Sequence, residues 1–134
     1  MTMTSAATTN WSNWSGYVKA SPRRIARPAD EAELADIIRT GPGPVRIVGS
    51  GHSFTPLVAS EGTILDLGGL SGLQAHDNGR MTATVGAGTP LGELTQLLHA
   101  AGQGLPNMGD IDRQTIGGAL GTATHGSGLG LGAY

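Results

Sequence analysis

Two histidines, each set in a glycine-rich stretch, are the residues of this chain best placed to do chemistry. The first lies in Arg46-Ile47-Val48-Gly49-Ser50-Gly51-His52-Ser53-Phe54. This reads as a short buried strand, Ile47 and Val48 at its end, running into a glycine turn that holds His52 in the open. Gly49 and Gly51 let the backbone approach a bulky anion, and the N–H groups from Gly49 to Ser53 can form a concave nest for it. The same residues suit a nucleotide loop, a metal site or a plain turn.

The second stretch is Asn107-Met108-Gly109-Asp110-Ile111-Asp112-Arg113-Gln114-Thr115-Ile116-Gly117-Gly118-Ala119-Leu120-Gly121-Thr122-Ala123-Thr124-His125-Gly126-Ser127-Gly128. Asp112 or Thr115 is expected to cap a short helix of small residues from about Thr115 to Thr122. Glycine inside a helix costs roughly 1 kcal/mol relative to alanine. Several of them together imply that something comes close to the backbone, either a packed neighbouring element or a planar cofactor.

In order and spacing, these stretches resemble the FAD-binding half of the vanillyl-alcohol-oxidase superfamily, the flavoproteins with a PCMH-type FAD domain. The likeness is strongest to the sugar-lactone oxidases (arabinonolactone and gulonolactone oxidases) and their alditol oxidase relatives. It rests on Gly49-Ser50-Gly51-His52-Ser53-Phe54, on Gly109-Asp110-Ile111-Asp112 with Gln114-Thr115-Ile116, and on Thr124-His125-Gly126-Ser127-Gly128. The opening Asn13-Trp14-Ser15-Gly16 also fits. Each motif is weak alone; together they cover the chain from about Asn13 to its end.

The resemblance implies FAD as cofactor, joined covalently through His52 to the 8α carbon of the flavin ring. Imidazole suits that role, because its neutral, nucleophilic form is available near neutral pH. It also implies that Ile47, Val48, Gly49, Ser50, Gly51 and Ser53 cradle the pyrophosphate side of FAD. Thr115, Gly118, Thr122, Ala123, Thr124 and His125 would line its other side, with His125 equally suited to a structural hydrogen bond. Asp110 falls where the family approaches the flavin ring or substrate, or simply caps a turn. No residue here is identified as the catalytic base; by resemblance it lies elsewhere in such enzymes.

The implied reaction is oxidation of a CH–OH group of a sugar lactone, with oxygen as acceptor and hydrogen peroxide as product. Open-chain polyols and a dehydrogenase using another acceptor remain open. Relatives continue into the rest of the second subdomain and a cap domain that builds the substrate pocket. The chain is therefore expected to be the N-terminal part of an enzyme, inactive alone and in need of the remainder or a companion chain. A flavin-binding remnant without turnover is the alternative.

Other readings of these residues fail on spacing. A Rossmann fingerprint needs a third glycine opening a helix; Phe54 stands there and Pro56 follows. His52, His76, His99 and His125 lack the i, i+4 spacing of a zinc helix, so no metal is expected. No Gly-x-Ser-x-Gly elbow is present.

Composition narrows the classes further. The chain has 134 residues, enough for one domain with a core, and 23 glycines concentrate interest on close backbone approach. The net charge of −2 and a single basic cluster at Arg23, Arg24 and Arg27 argue against nucleic acid; a solvated connector accounts for them. The absence of cysteine excludes disulfides and thiolate metal sites and fits a reducing compartment. No run of about 18 apolar residues exists to span a membrane. The first nine residues lack a signal-peptide core, and a cytoplasmic location is expected. Asn10-Trp11-Ser12 and Asn13-Trp14-Ser15 match a glycosylation pattern that is short enough to arise by chance.

The elements that must carry these motifs follow from pattern. Residues 1–12 read as a flexible tail and 13–134 as an incomplete FAD-binding domain. Asp30 and Glu33 form a capping box before a helix from about Glu31 to Arg39, ended by Gly41-Pro42-Gly43-Pro44. Val45–Val48, Thr63–Leu67 and Met81–Val85 read as strands. Thr89-Pro90 caps and starts a second helix with Leu91, Leu94, Leu97, Leu98 and Ala101 on one face, stopped by Gly102. The order predicts an α+β domain, which by resemblance divides into two small α/β subdomains with the cofactor between them, the second beginning near Met81.

Overall fold

Polar N-terminal residues that looked like a loose tail already make sheet. In the computed structural model, which describes residues 9–134, strand β1 (Trp11–Ser12) pairs antiparallel with β2 (Lys19–Ala20). The predicted tail boundary at residue 12 is therefore too late; the part of that tail before residue 9 lies outside the described residues.

The first unit is a three-stranded parallel sheet with one helix. Strand β3 (Arg24–Ala26) is followed by helix α1 (Glu31–Thr40), which starts where the capping box predicts. Asp30 Oδ1 accepts from the Glu33 N–H at 2.8 Å, and Glu33 Oε2 accepts from the Ala29 N–H at 2.8 Å. Helix α1 ends as its Gly41 N–H closes on the Ile37 carbonyl, and Gly43 turns the chain at φ 65°. Strand β4 (Val45–Val48) and strand β5 (Thr63–Asp66) follow, in the order β3-β5-β4. Because β5 is central, Thr63, Ile64 and Leu65 are fully buried. Ala26, Ile37 and Leu65 form the core of this unit, with Leu34 and Val45 packed on it. Arg24 thus belongs to an edge strand, not to the solvated connector expected from its charge.

The link from β4 to β5 contains no helix. It is the glycine loop itself, which leaves the sheet at Gly49 and returns at Thr63.

The second unit begins earlier than predicted. Strand β6 (Leu73–Asp77) pairs antiparallel with β7 (Thr82–Val85) around a turn in which Asp77 Oδ1 accepts from Gly79 and Arg80. The alternation of β6 is hidden, since four of its five residues are exposed. Helix α2 (Leu91–Ala100) buries Leu91, Leu94 and Leu98. Helix α3 (Ile116–Gly121) buries Ile116 and Ala119 against them. Thr89 does not cap α2: Pro90 holds the N-cap position without a side-chain bond. Thr89 Oγ1 instead donates to the Gly86 carbonyl at 2.6 Å and accepts from the Gly72 N–H at 2.8 Å. Asp66, ending β5, accepts from Gly68 in the turn that leads from one unit to the other.

Candidate functional site

A cleft of about 540 Å³ opens between the two units, within the size range of small-molecule sites. One wall is the end of β4 and the loop after it, from Ile47 to Ser53, with Leu57 and Val58. The other is formed by Ala87, Gln114, Thr115 and the α3 residues Gly117, Gly118 and Gly121, together with Thr122. The two glycine-rich stretches that stood out in the sequence therefore face one another.

Local structure explains each wall. Thr115, and not Asp112, caps α3, its Oγ1 accepting from the Gly118 N–H at 3.2 Å. Helical spacing then puts Ile116 and Ala119 toward the core and leaves the glycines toward the cleft. At Gly117 an added Cβ would approach the Ala87 carbonyl oxygen to 2.9 Å, so part of the glycine excess serves packing. The cleft-facing pair Gly118 and Gly121 meets no such backbone obstacle.

The loop wall is tied down from behind. Trp14 N–H donates to the Gly51 carbonyl at 3.1 Å, Trp14 Nε1 to the His52 carbonyl at 3.2 Å, and Asn13 Nδ2 to the Ser53 carbonyl at 3.1 Å. In a trans peptide the C=O and the next N–H point in opposite directions. The N–H groups of His52, Ser53 and Phe54 are thereby turned away from Asn13 and Trp14, neither of which lines the cleft. Among the described residues none of these three N–H groups has a protein acceptor. Gly51 adopts φ 64°, the left-handed conformation that glycine tolerates.

The two walls touch at Gly49 and Ser50. Ser50 Oγ donates to the Arg113 carbonyl, and a Cβ on Gly49 would overlap Thr115 Oγ1.

Of the residues expected at the site, Ile47, Val48, Gly49, Ser50, Gly51, His52, Ser53, Thr115, Gly118 and Thr122 line the cleft. Asp110, Ala123, Thr124 and His125 do not. Ala123 takes a left-handed φ of 51°, which turns the chain off the end of α3. Thr124 Oγ1 then accepts from Gln114 Nε2 at 2.9 Å, and His125 Nδ1 donates to the Gly126 carbonyl at 2.9 Å. Asp110 is exposed on the loop before α3. Leu57, Val58, Leu67, Ala87, Gln114, Gly117 and Gly121 line the cleft without having been singled out as contacts. Gly117 and Gly121 carried the signal in their cluster, whereas the apolar members carry none that separates them from core.

The glycosylation pattern at Asn13 is structurally occupied. Asn13 is 4% exposed, and besides its bond to Ser53 its Oδ1 accepts from the Val18 N–H at 3.0 Å.

Known proteins place this architecture. The model of the FAD binding domain family matches residues 22–132. L-gulono-1,4-lactone dehydrogenase of Mycobacterium tuberculosis is 43% identical over 89% of this chain and 28% of its own length. D-arabinono-1,4-lactone oxidase of Eremothecium gossypii is 38% identical over 86% of this chain and 23% of its own. The crystal structure of cholesterol oxidase from B. sterolicum superposes with a TM-score of 0.74 at 23% identity, over 91% of this chain and 25% of that one, and shares the fold. The chain thus spans about a quarter of the length of the proteins it matches. With its family model covering all but the first 21 and last two residues, the chain belongs to the FAD-binding domain family, in the PCMH-type fold of the vanillyl-alcohol-oxidase superfamily.

Proposed function

We propose that this chain is the FAD-binding portion of a flavin-dependent oxidoreductase that oxidises a CH–OH group of a sugar lactone of the arabinonolactone or gulonolactone type. The observation that carries the reading is the row of N–H groups at His52, Ser53 and Phe54, without an acceptor among the described residues and held outward by the bonds that Asn13 and Trp14 make to the carbonyls behind them. Such a row fits the pyrophosphate of FAD, as preorganised donors bind an anion without first breaking internal hydrogen bonds. The glycine side of α3 fits as well, since a planar group can lie against backbone there.

Bound FAD would supply hydride acceptance, while the protein supplies orientation and electrostatics. The residues from Ile47 to Ser53 hold the pyrophosphate side, with Ser53 adding a hydroxyl while that of Ser50 ties the loop to the Arg113 carbonyl. Thr115, Gly118 and Thr122 flank the opposite side. Thr124 acts indirectly, by holding Gln114 against the cleft. His52 joins the flavin through a ring nitrogen. That bond would form from an imidazole nitrogen to the 8α carbon, with loss of one proton from each partner and passage of two electrons to an external acceptor such as dioxygen.

Dioxygen as the acceptor in turnover, with hydrogen peroxide as product, follows the oxidases among the relatives. A dehydrogenase with another acceptor is the second reading, favoured by the name of the relative at 43% identity. The experiment is anaerobic mixing of the flavin-loaded intact protein with L-gulono- or D-arabinono-1,4-lactone. Bleaching of the flavin, reversed by dioxygen with release of hydrogen peroxide, is the expected result. Bleaching that dioxygen does not reverse selects the dehydrogenase. A flavin that neither lactone bleaches contradicts the substrate class.

A further inference from the structure

The sequence motif at Asn13 and Trp14 has a role that membership of the family does not assign. Trp14 does more than donate hydrogen bonds to the loop. Its indole lies over the His52 imidazole, with ring centroids 5.0 Å apart and planes inclined by 13°. Phe54 meets the same indole edge-on, at 5.7 Å and 74°. Among the described residues neither His52 ring nitrogen has a hydrogen-bond partner, so no polar contact chooses the orientation of this ring.

An unbonded imidazole on a loop has several staggered χ1 wells and a broad χ2 torsion. A face contact narrows that choice. The nitrogen lone pairs lie in the plane of the ring, so an indole stacked on its face restrains the imidazole and leaves both nitrogens clear. The loop that carries His52 is held by the same residue pair, through carbonyls on both sides of the histidine.

We propose that Trp14 is a positioning residue for flavin attachment: its stacked indole holds the His52 imidazole where a ring nitrogen reaches the flavin. The inference rests on the reading that His52 carries the flavin. Attachment demands a near-attack geometry, and small misplacements slow such reactions by large factors. Asn13 supports the same loop from beneath, with its side chain buried and both its amide nitrogen and its oxygen hydrogen-bonded.

The test follows attachment in time. Apoprotein of the intact protein, from riboflavin-starved cells, is mixed with FAD under air. Fluorescence of the denatured band reports attached flavin, and FAD released on denaturation reports the remainder. At FAD concentrations that saturate each variant, Trp14→Ala should convert bound FAD to attached flavin at least about tenfold more slowly than the parent. Trp14→Leu, which keeps bulk without an aromatic face, should behave alike, and covers the case in which the alanine variant does not fold. Trp14→Phe, which keeps an aromatic face and loses the Nε1 bond to the His52 carbonyl, should attach its bound FAD near the parental rate even where FAD binding weakens. In apoprotein NMR spectra the His52 ring protons should move on Trp14→Leu, as the indole ring current is lost. Attachment per bound FAD at the parental rate in both non-aromatic variants overturns the proposal. Unmoved His52 protons overturn the stack itself. A dark parent band with stoichiometric released FAD overturns attachment at His52 instead, and the NMR result then decides alone whether Trp14 holds the ring.

Discussion

Gly49 is where the account is most sharply exposed at the scale of single residues. It sits at the end of β4 against the cap of α3, and its missing Cβ leaves room for Thr115 Oγ1. Gly49→Ala must push the two walls apart, at a cost of about 1–3 kcal/mol as overpacking usually does. Thr115→Ala loses a cap and costs about 1 kcal/mol. In the double variant the nearest remaining Thr115 atom lies at ordinary contact distance, so the two costs should fall well short of adding. Denaturant unfolding of the three variants measures this. Strict additivity would mean that Gly49 and Thr115 do not share the contact. The sequence marked Gly49 and Thr115 separately, through a glycine cluster and a capping residue. It contained no sign that they touch, because contact between residues 66 positions apart is a property of the fold. Trp14 was legible only as part of a matching motif, for the same reason.

At the scale of elements, the parts with strong local chemistry were readable and the parts without it were not. Helix α1 announces itself through Asp30 and Glu33, whose reciprocal bonds the structure contains. Helix α2 is visible in the spacing of Leu91, Leu94 and Leu98. Strands β1, β2 and β3 are two or three residues long, too short for alternation to register. Strand β6 is mostly exposed and carries no apolar stripe. The cap predicted at Thr89 failed because a tertiary demand won: its hydroxyl closes the turn at Gly86 and holds Gly72. The burial of α2 has a direct consequence. Leu94 is 1% exposed in the core of the second unit, so Leu94→Ala should lose about 2–5 kcal/mol. Exposed Gln96 on the same helix should tolerate alanine almost without effect. Thermal melts of the two variants check this, and equal melting temperatures would contradict the packing of α2 on α3.

At the scale of the whole molecule, function depends on two small cores presenting loops to one another. One core is built on β5, the other on α2 and α3. Each contributes a glycine-rich wall, and the cleft exists only where the walls meet. That two-part plan came from family resemblance; periodicity alone yielded an α+β domain and no more. The boundary between the parts was placed too late because β6 is hidden. Large apolar side chains remain exposed at Ile47, Phe54 and Leu57 beside the cleft.

The central claim is that the loop from Ile47 to Ser53 holds FAD with His52 joined to it, and peptide mass mapping of the flavin-loaded intact protein tests it most directly. Trypsin should release Ile47–Arg80, bounded by Arg46 and Arg80, with two histidines, and separately the segment beginning at Gln114, which holds His125. The account predicts that the first peptide carries the flavin and that its fragment spectrum places the added mass on His52, not on His76. An unmodified Ile47–Arg80 peptide from protein that carries FAD, or flavin found on the peptide with His125, would contradict it.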